Sequence, residues 1–427
     1  MADTVVSTAS PQAIKMFSVM LLAETERNCV FNRMMAGKKP SQFNTRAKIE
    51  KQQTTPDMPI VRIADLSKGR GDRVTCDMVK TLGGLPTMGD RQLEGRGDNL
   101  QLTEMEAIIN QTRKAVKPGS RMSQKRTSIN LRMTAKAELG KYFGRLNDQR
   151  ILVHMGGQRG DAMDEDWAVP LDSHGEFNDI MINPVQPPTS NRHFMAGGKA
   201  NVAALTAADP LTLEDLDVLS AKLRSMPYPP APIKLDGMQQ SIWCLMVSEW
   251  QWHYLVTQAN RSRTGWRQYQ ADARVRAGKA GNHPLFNDDP GLWNRLLIKQ
   301  MPRPIEFRAG TNVRTTDSDT GAVTTSAVGA DTSIVHRAIL IGGQALAYIE
   351  GDGTPKGMDS LPLMWNEELL DHKNTLEVSA RTMDGMAKFR FEGSDNKLTD
   401  FGCAVIDSYA PDPYSGAGET LRGNLTS

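Results

Sequence analysis

Cysteines and histidines are the residues whose chemistry is easiest to recognise by spacing, and neither set has a catalytic or metal-binding pattern. The cysteines, Cys29, Cys76, Cys244 and Cys403, stand far apart, whereas zinc sites place them about two to four residues from one another. The seven histidines form no His-x-x-x-His pair, and no Gly-x-Ser-x-Gly nucleophile motif occurs. We predict no catalytic residue, no metal site, no cofactor and no enzymatic activity, with reduced cysteines acting as small apolar side chains.

An acidic cluster is the best candidate for binding a hard cation. It consists of Asp161, Asp164, Glu165 and Asp166, in a stretch rich in Gly and Asp. Calcium takes about six to eight oxygen ligands from a shaped loop, and this spacing does not match an EF-hand. A solvated loop is therefore favoured over a calcium site.

Three short glycine motifs are explained by turn chemistry. Gly197-Gly198-Lys199 resembles part of a phosphate loop, but it lacks the upstream glycine spacing and the Ser or Thr after the lysine. Arg-Gly-Asp occurs at 70–72 and again at 96–98, in stretches where glycine supplies positive φ and aspartate caps the turn. We favour turns over phosphate binding and over receptor adhesion.

Composition indicates a folded chain without a membrane span. The 427 residues are 39% hydrophobic and 23% charged, which suits two or three domains or one core with large excursions. No apolar run is long enough to cross a membrane. The formal charge is only +2, so the chain is not expected to coat nucleic acid. Residues 61–160 hold 19 basic against 10 acidic residues, which favours a solvated or subunit-contacting face over a nucleic-acid groove.

The N-terminal pattern predicts a helix over residues 10–36. Ser10 can cap it and Pro11 suits the first turn. Apolar residues including Phe17, Leu21 and Met34 form one stripe. Since the polar stretch that follows, 38–59, offers this stripe no partner, we expect the helix to be an arm lying on a neighbouring subunit.

Residues 60–118 predict a long β-hairpin with a polar tip. Runs of β-formers flank a segment, 83–99, that contains several glycines and a proline. Its charged flanks are poorly suited to burial within one subunit.

Further along the chain, a helix is predicted over 123–155, where apolar residues recur every three or four positions. Gly140 and Gly144 weaken this helix by about 1 kcal/mol each relative to alanine, so packing must hold it together. An irregular stretch, 156–210, precedes a helix that Thr212 caps and Pro227 ends. Residues 241–259 belong to a core, and 310–333 suggest an exposed hairpin. Strand-like runs follow at 338–341, 388–391 and 403–406.

A series of short segments is distributed along most of the chain: Asp65–Gly69, Gly71–Thr75, Met88–Arg91, Leu93–Gly95, Arg126, Arg132, Asp148–Arg150, Asn282, Pro284–Phe286, Ile341–Ala345, Trp365–Glu368, Asp371–His372 and Asp400–Gly402. In this order, these segments resemble the major capsid proteins of N-four-like podoviruses and their prophage relatives.

The resemblance implies an α+β fold, the Hong Kong 97-type capsid fold of tailed bacteriophages. Its parts would be an N-terminal arm over 1–59, an extended β-hairpin called the E-loop over 60–118, and a peripheral domain over 119–226 with its spine helix at 123–155 and an irregular insertion at 156–210. A mainly axial domain would span 227–365, and 366–427 would return to the peripheral domain and end in a tail. The stretch 161–205 departs from this plan, and its domain stays open.

The resemblance also implies a shell subunit that forms hexamers and pentamers around double-stranded DNA, without sequence-specific binding. Portal and scaffolding proteins would be partners, a decoration protein stays open, and no membrane is involved. The protein would belong to the virion and assemble in the host cytoplasm. We expect inter-subunit contacts at the arm residues Phe17, Leu21 and Met34. At the E-loop tip we expect them at Gly83, Gly84, Gly89, Asp90, Arg91, Glu94, Gly95 and Arg96.

Two alternatives of different class remain from the sequence. A nanocompartment shell of the same fold would enclose protein cargo, and a soluble enzyme would carry an unrecognised site. The contents of purified particles separate the first from a capsid, while a small discrete oligomer indicates the second.

Overall fold

A computed structural model describes residues 11–36, 58–63, 71–79, 86–89, 94, 102–162, 166–233, 242–257, 291–329, 334–351, 363–372, 374–393 and 395–411. Its helices are α1 (Pro11–Asn28), α2 (Arg121–Arg126), α3 (Leu131–Gly156), α4 (Phe177–Ile180), α5 (Leu213–Ser225) and α6 (Glu249–Thr257). Within these residues, no helix is both long and apolar enough to cross a membrane.

The strands lie mostly in the C-terminal half. They are β1 (Met35–Ala36), β2 (Ile60–Ile63), β3 (Arg73–Val79), β4 (Leu102–Ile108), β5 (Asn110–Ser120), β6 (His193–Met195), β7 (Trp243–Val247), β8 (Gly291–Trp293), β9 (Leu296–Gln300), β10 (Ile305–Arg308), β11 (Asn312–Thr316), β12 (Val323–Ala327), β13 (Ile334–Ile341), β14 (Leu346–Glu350), β15 (Leu363–Leu370), β16 (Thr375–Lys388), β17 (Arg390–Glu392), β18 (Leu398–Asp400) and β19 (Cys403–Tyr409).

The first sheet is organised around β16, which is 14 residues long. Strand β16 pairs with β15, β14 and β5, and its residue Asp384 lies opposite both Asn110 of β5 and Glu350 of β14, so β5 and β14 occupy opposite edges of β16. The sheet continues from β14 through β2 to β1, both in parallel pairings. Leu363, Trp365 and Val378 pack on one face of this sheet against α1 and α3.

The second sheet has the order β6-β19-β13-β7-β9-β8, and β10 pairs with the remaining part of β13. Successive strand residues point to opposite faces, so both faces carry apolar side chains. Leu340 and Ile406 pack against α5 and α6, whereas Ile339 and Cys403 belong to a core shared with the C-terminal end of α3. Helices therefore cover the sheet on both sides.

Several predicted elements are confirmed, with bounds shifted by a few residues. Helix α5 begins after Thr212, which forms a capping box with Asp215. Strand β7 and helix α6 fill the predicted core segment, and β11 pairs with β12 as the predicted hairpin. The predicted spine helix is divided into α2 and α3, because Asn130 caps a new helix by accepting a hydrogen bond from the backbone N–H of Met133.

The predicted long hairpin is shorter than 60–118. Only β3 and β4 pair as an isolated hairpin, in register from Arg73 opposite Ile108 to Val79 opposite Leu102. The flanking strands β2 and β5 belong to the first sheet instead.

Candidate assembly surfaces

The hairpin β3–β4 is anchored at its base to the body of the subunit. Asn183 bonds Ile108 twice, accepting from its N–H at 2.8 Å and donating to its carbonyl at 2.8 Å. Val74 and Ala107, a cross-strand pair, are buried in a cluster with Phe389. These contacts fix the direction in which the hairpin leaves the first sheet.

Beyond this base, the hairpin is a two-stranded sheet whose outer edges pair with no other described strand. An isolated two-stranded hairpin is marginally stable in water, and its unpaired edges are ready to contact another chain. Glu104 and Glu106 are exposed on β4, and Glu106 pairs with Arg73 at 3.0 Å. A polar hairpin held only at its base is suited to lie on a second molecule.

Of the predicted tip residues, Gly89 and Glu94 lie within the described part of the chain. Gly89 has φ of +64°, with open space where a Cβ would stand, and Glu94 is exposed in a turn. The contact role of both stays a prediction. Gly83, Gly84, Asp90, Arg91, Gly95 and Arg96 lie outside the described residues.

The predicted arm helix packs on its own subunit. Gly140 and Gly144 of α3 let α1 approach closely: a Cβ on Gly140 would stand 2.8 Å from Cγ of Glu24, and one on Gly144 would stand 3.0 Å from Cβ of Asn28. Asp148 completes the contact by accepting a hydrogen bond from the N–H of Val30 at 2.9 Å. Helices α1 and α3 therefore run side by side in the same direction.

This packing corrects the prediction for two arm residues. Leu21 is buried against α3 and Met34 is buried in the core near the second sheet, so neither side chain can reach a neighbouring subunit. Phe17 is half-buried, stacked on Trp365 with ring centroids 5.8 Å apart and covered by the guanidinium of Arg132. The exposed face of α1 is the one that carries Met16 and Met20.

Five exposed apolar side chains, here called the apolar corner, are carried by α1, by α2 and its connection to α3, and by the first turn of α3. Its members are Met16, Met20, Met122, Ile129 and Met133, each between 42% and 59% exposed. Helices α1 and α3 run in parallel, and Phe17 of α1 contacts Arg132 in the first turn of α3. Adjacent exposed apolar side chains mark interaction sites on soluble proteins, and methionine adapts to varied partners.

The sequence analysis did not identify the buried ionic groups that connect the sheets to α3. Arg337 donates to both carboxylate oxygens of Asp407 at 2.7 Å and to the carbonyl of Gly156, and His193 Nε2 contacts Asp407 at 2.7 Å. Although burial alone would raise the pKa of Asp407, Arg337 and His193 hold it well below its ordinary value. This hub joins three strands of the second sheet to the end of α3.

A second set of buried ion pairs joins the first sheet to α3 and to β18. Arg150 donates to Asp384 on β16 at 2.7 Å, and Lys388 of the same strand donates to Asp400 at 2.9 Å. Each of these side chains is at most 2% exposed. Removing one partner of such a pair leaves a buried charge uncompensated.

The two described members of the acidic cluster, Asp161 and Asp166, have partners within the protein. Asp161 accepts from the backbone N–H of Arg308 at 3.0 Å, and Asp166 pairs with Arg145 and Arg303. Within the described part of the chain, no group of three His, Cys, Asp or Glu could hold a metal ion. Asp164 and Glu165 lie outside it.

Two buried histidines predict acid sensitivity of the free subunit. Burial lowers the pKa of His154 to about 3, with Arg150 and Lys388 adding to the effect, and burial lowers that of His336 to about 4. An unfolded histidine takes up its proton near pH ~6.5. Between these values the unfolded state binds more protons, so stability falls as the pH falls from about 6.5 toward 4.

Asp148 opposes this trend, because burial raises its pKa to about 6 and the folded state then gains a proton as the pH falls. We expect the two histidines to dominate. Urea-unfolding midpoints between pH 7 and 4 should show a smaller acid loss in His154→Gln than in the wild type. Replacement of the exposed His174 serves as the control. Equal acid loss in the two variants would contradict the prediction.

The anchored hairpin and the apolar corner are candidate contact surfaces, and the buried ion pairs hold together the elements that carry them. The sequence matches the phage capsid protein family over residues 5–412. The chain belongs to that family.

Solved capsid structures share the fold. The capsid of Ralstonia phage GP4 has a TM-score of 0.67 and 25% identity, with 96% of this chain and 99% of that chain covered. The capsid of cyanophage Pam1 has a TM-score of 0.59 and 16% identity over 96% and 100% of the two chains. The capsid of Helicobacter pylori bacteriophage KHP30 has a TM-score of 0.52 and 11% identity, with 88% of this chain and 96% of that chain covered. No curated protein sequence matches the chain.

These likenesses confirm the Hong Kong 97-type fold that the sequence predicted. The protein is a major capsid protein of a tailed phage, a component of the virion that associates with copies of itself into a shell. The nanocompartment and soluble-enzyme alternatives are not favoured.

Proposed function

We propose that this capsid protein forms hexamers and pentamers that close into an icosahedral head around double-stranded DNA, with the hairpin β3–β4 as the principal contact between subunits. The observation that carries the proposal is the hairpin's base, fixed by Asn183 and Val74, beneath edges that no described strand covers. Heterologous contacts of this kind generate rings, and curvature closes the rings into a cage.

The apolar corner is proposed as a second contact with a neighbouring subunit. It takes the place of Leu21 and Met34, which are buried within their own subunit. Two subunits that are already part of the shell are held close together, so any further contact between them forms at a high effective concentration. Each contact can therefore be weak. The corner would then strengthen closure without a large interface of its own.

We propose that further partners act on the assembled shell or on its precursor. A portal and scaffolding proteins would bind it during assembly in the host cytoplasm, and the packaged DNA would lie inside without sequence-specific contacts. The formal charge of +2 supports weak, general contact with DNA. The role is structural and not enzymatic, as is the family's.

Deleting residues 84–97 tests the hairpin's role. We expect the deleted protein to stay soluble and to melt near the wild-type temperature, because the anchoring residues Asn183, Val74 and Ala107 are retained. We expect it to form no closed shells, since the projecting contact would be lost. Gel filtration and negative-stain electron microscopy, with and without neighbouring phage genes, measure the outcome.

Normal particles from the deleted protein would refute the hairpin's role. A protein that fails to melt cooperatively would instead show that the tip contributes to folding. Finding DNA inside wild-type particles made in infected cells would support the proposed genome shell, and finding a cargo enzyme would contradict it.

A further inference from the structure

The first sheet has one face that α3 leaves open, and two arginines stand together on it. Arg113 of β5 and Arg381 of β16 are directly opposite each other in the strand register. Their neighbours Lys114 and Ala380 face α3, where Lys114 lies over the ring of Tyr142. Side chains alternate along a strand, so the two arginines face away from α3.

This arginine pair lacks an anionic partner within the described residues. Arg113 is exposed and forms no ion pair there. Among the described residues, the side chain of Arg381 donates a hydrogen bond to the sulfur of Met364 at 3.6 Å, and its Nε is buried without a hydrogen-bond partner. Like charges directly opposite across two strands repel each other. The isolated subunit therefore holds two adjacent cations that a carboxylate would stabilise.

The hairpin supplies the matching charge. Glu104 and Glu106 are two residues apart on β4, so they lie on one face, and both are exposed. In the described chain Glu104 has no ion-pair partner, and Glu106 has only the exposed Arg73. The two carboxylates are spaced by about 7 Å along the strand, comparable with the roughly 5 Å between directly opposite cross-strand residues.

One copy of the chain cannot bring these groups together. Strand β4 ends at Ile108 and β5 begins at Asn110, so Glu104 and Arg113 lie on successive strands. The chain between these strands would have to reverse direction for the two side chains to come into contact. The pairing of β5 with β16 runs from Asn110 opposite Asp384 toward Ser120, away from the hairpin. A contact between Glu104 and Arg113 must therefore join two copies.

We infer that the acidic face of one subunit's hairpin, Glu104 and Glu106, docks on the Arg113–Arg381 pair of a second copy of this chain. The inference rests on the proposed hairpin function and names its receiving surface. A second copy is favoured over DNA because the described part of the open face offers two cations without an ion pair, whereas phosphate backbones are held by larger basic clusters. Complementary charges fix register and partner choice more than raw affinity.

A charge exchange tests this docking. We expect Glu104→Lys to reduce the yield of closed shells by roughly tenfold or more, and Arg113→Glu with Arg381→Glu to do the same, because each places like charges in contact. Combining the three substitutions should restore most of the yield. Glu106 is kept unchanged because it pairs with Arg73 in its own subunit. Reversal of the exposed Asp319 is the matched control.

The outcomes separate this inference from the proposed function. Near-normal shells from both charge-reversed proteins, or no recovery in the combined variant, would overturn the pairing and leave the hairpin deletion to decide the hairpin's role. Shells that form normally from the arginine variant but hold less DNA would assign the face to nucleic acid instead. Failure of the unaltered chain to form shells would overturn the proposed function itself.

Melting temperatures of all variants guard against misfolding. Should Arg381→Glu disturb the sheet, Arg113→Glu alone, at an exposed position, carries the test with Glu104→Lys. Recovery by that pair supports the docking, and its absence refutes it.

Discussion

Replacing Asp407 with alanine should remove about 3–5 kcal/mol of the free energy of unfolding, the cost typical of breaking a buried ion pair. Arg337 is completely buried and makes two 2.7 Å hydrogen bonds to this carboxylate. Without the carboxylate, the guanidinium keeps its charge in the interior, and Nε2 of His193 loses its 2.7 Å contact with Asp407. Denaturant-unfolding midpoints of the purified subunit measure the loss.

Asp319 provides the comparison for this experiment. It pairs with Lys397 at 3.0 Å, but both side chains are exposed, so Asp319→Ala should leave the midpoint nearly unchanged. If Asp407→Ala were equally harmless, the hub would not be the brace between α3 and the second sheet.

A methyl group at Gly385 should damage both the fold and assembly. A Cβ at this position would overlap the carbonyl oxygen of Ile108 and lie 3.2 Å from Cα of Ile109. That backbone cannot retreat freely, because Asn183 holds both the N–H and the carbonyl of Ile108. We expect Gly385→Ala to cost about 1–3 kcal/mol, as overpacking does, and to shift the base of the hairpin.

Unfolding midpoints and shell yield measure the two effects together. Gly175→Ala is the control, because its Cβ would meet nothing within 4 Å. Since the hairpin's direction depends on its base, we expect Gly385→Ala to lower shell yield more than an equally destabilised variant elsewhere. Equal shell yields for the two alanine variants would contradict the link between this glycine and assembly.

Local signals in the sequence predicted the elements whose bounds depend on neighbouring residues. Thr212 and Pro227 set the ends of α5, and the capping box with Asp215 is formed within one turn. The turn residues between β11 and β12 likewise predicted that hairpin. The family resemblance supplied the overall fold, which these local patterns could not have determined.

The surface on which α1 packs could not be predicted from the sequence, because that surface is formed by residues elsewhere in the chain. Gly140 and Gly144 were interpreted only as weak points of the spine helix. Their spacing of four residues places both on one face, and that face receives α1. This spacing is the signal that could have indicated packing within one subunit.

The ionic hubs carry no sequence signal of their own. Arg337 and Asp407 are 70 residues apart, and Arg150 and Asp384 are 234 residues apart. A single sequence contains many arginines and aspartates, and nothing in their spacing pairs them. Only the fold brings these partners together.

The position of β19 in the second sheet has a consequence for synthesis on the ribosome. This strand, Cys403–Tyr409, lies between β6 and β13 and carries Asp407. A nascent chain that has not yet reached it lacks both the neighbour of β6 and the counter-ion of Arg337. Because these pairings are long-range, the second sheet can be completed only after β19 has been synthesised. Polypeptides terminated before Cys403 would lack this strand and would leave the buried Arg337 without its counter-ion.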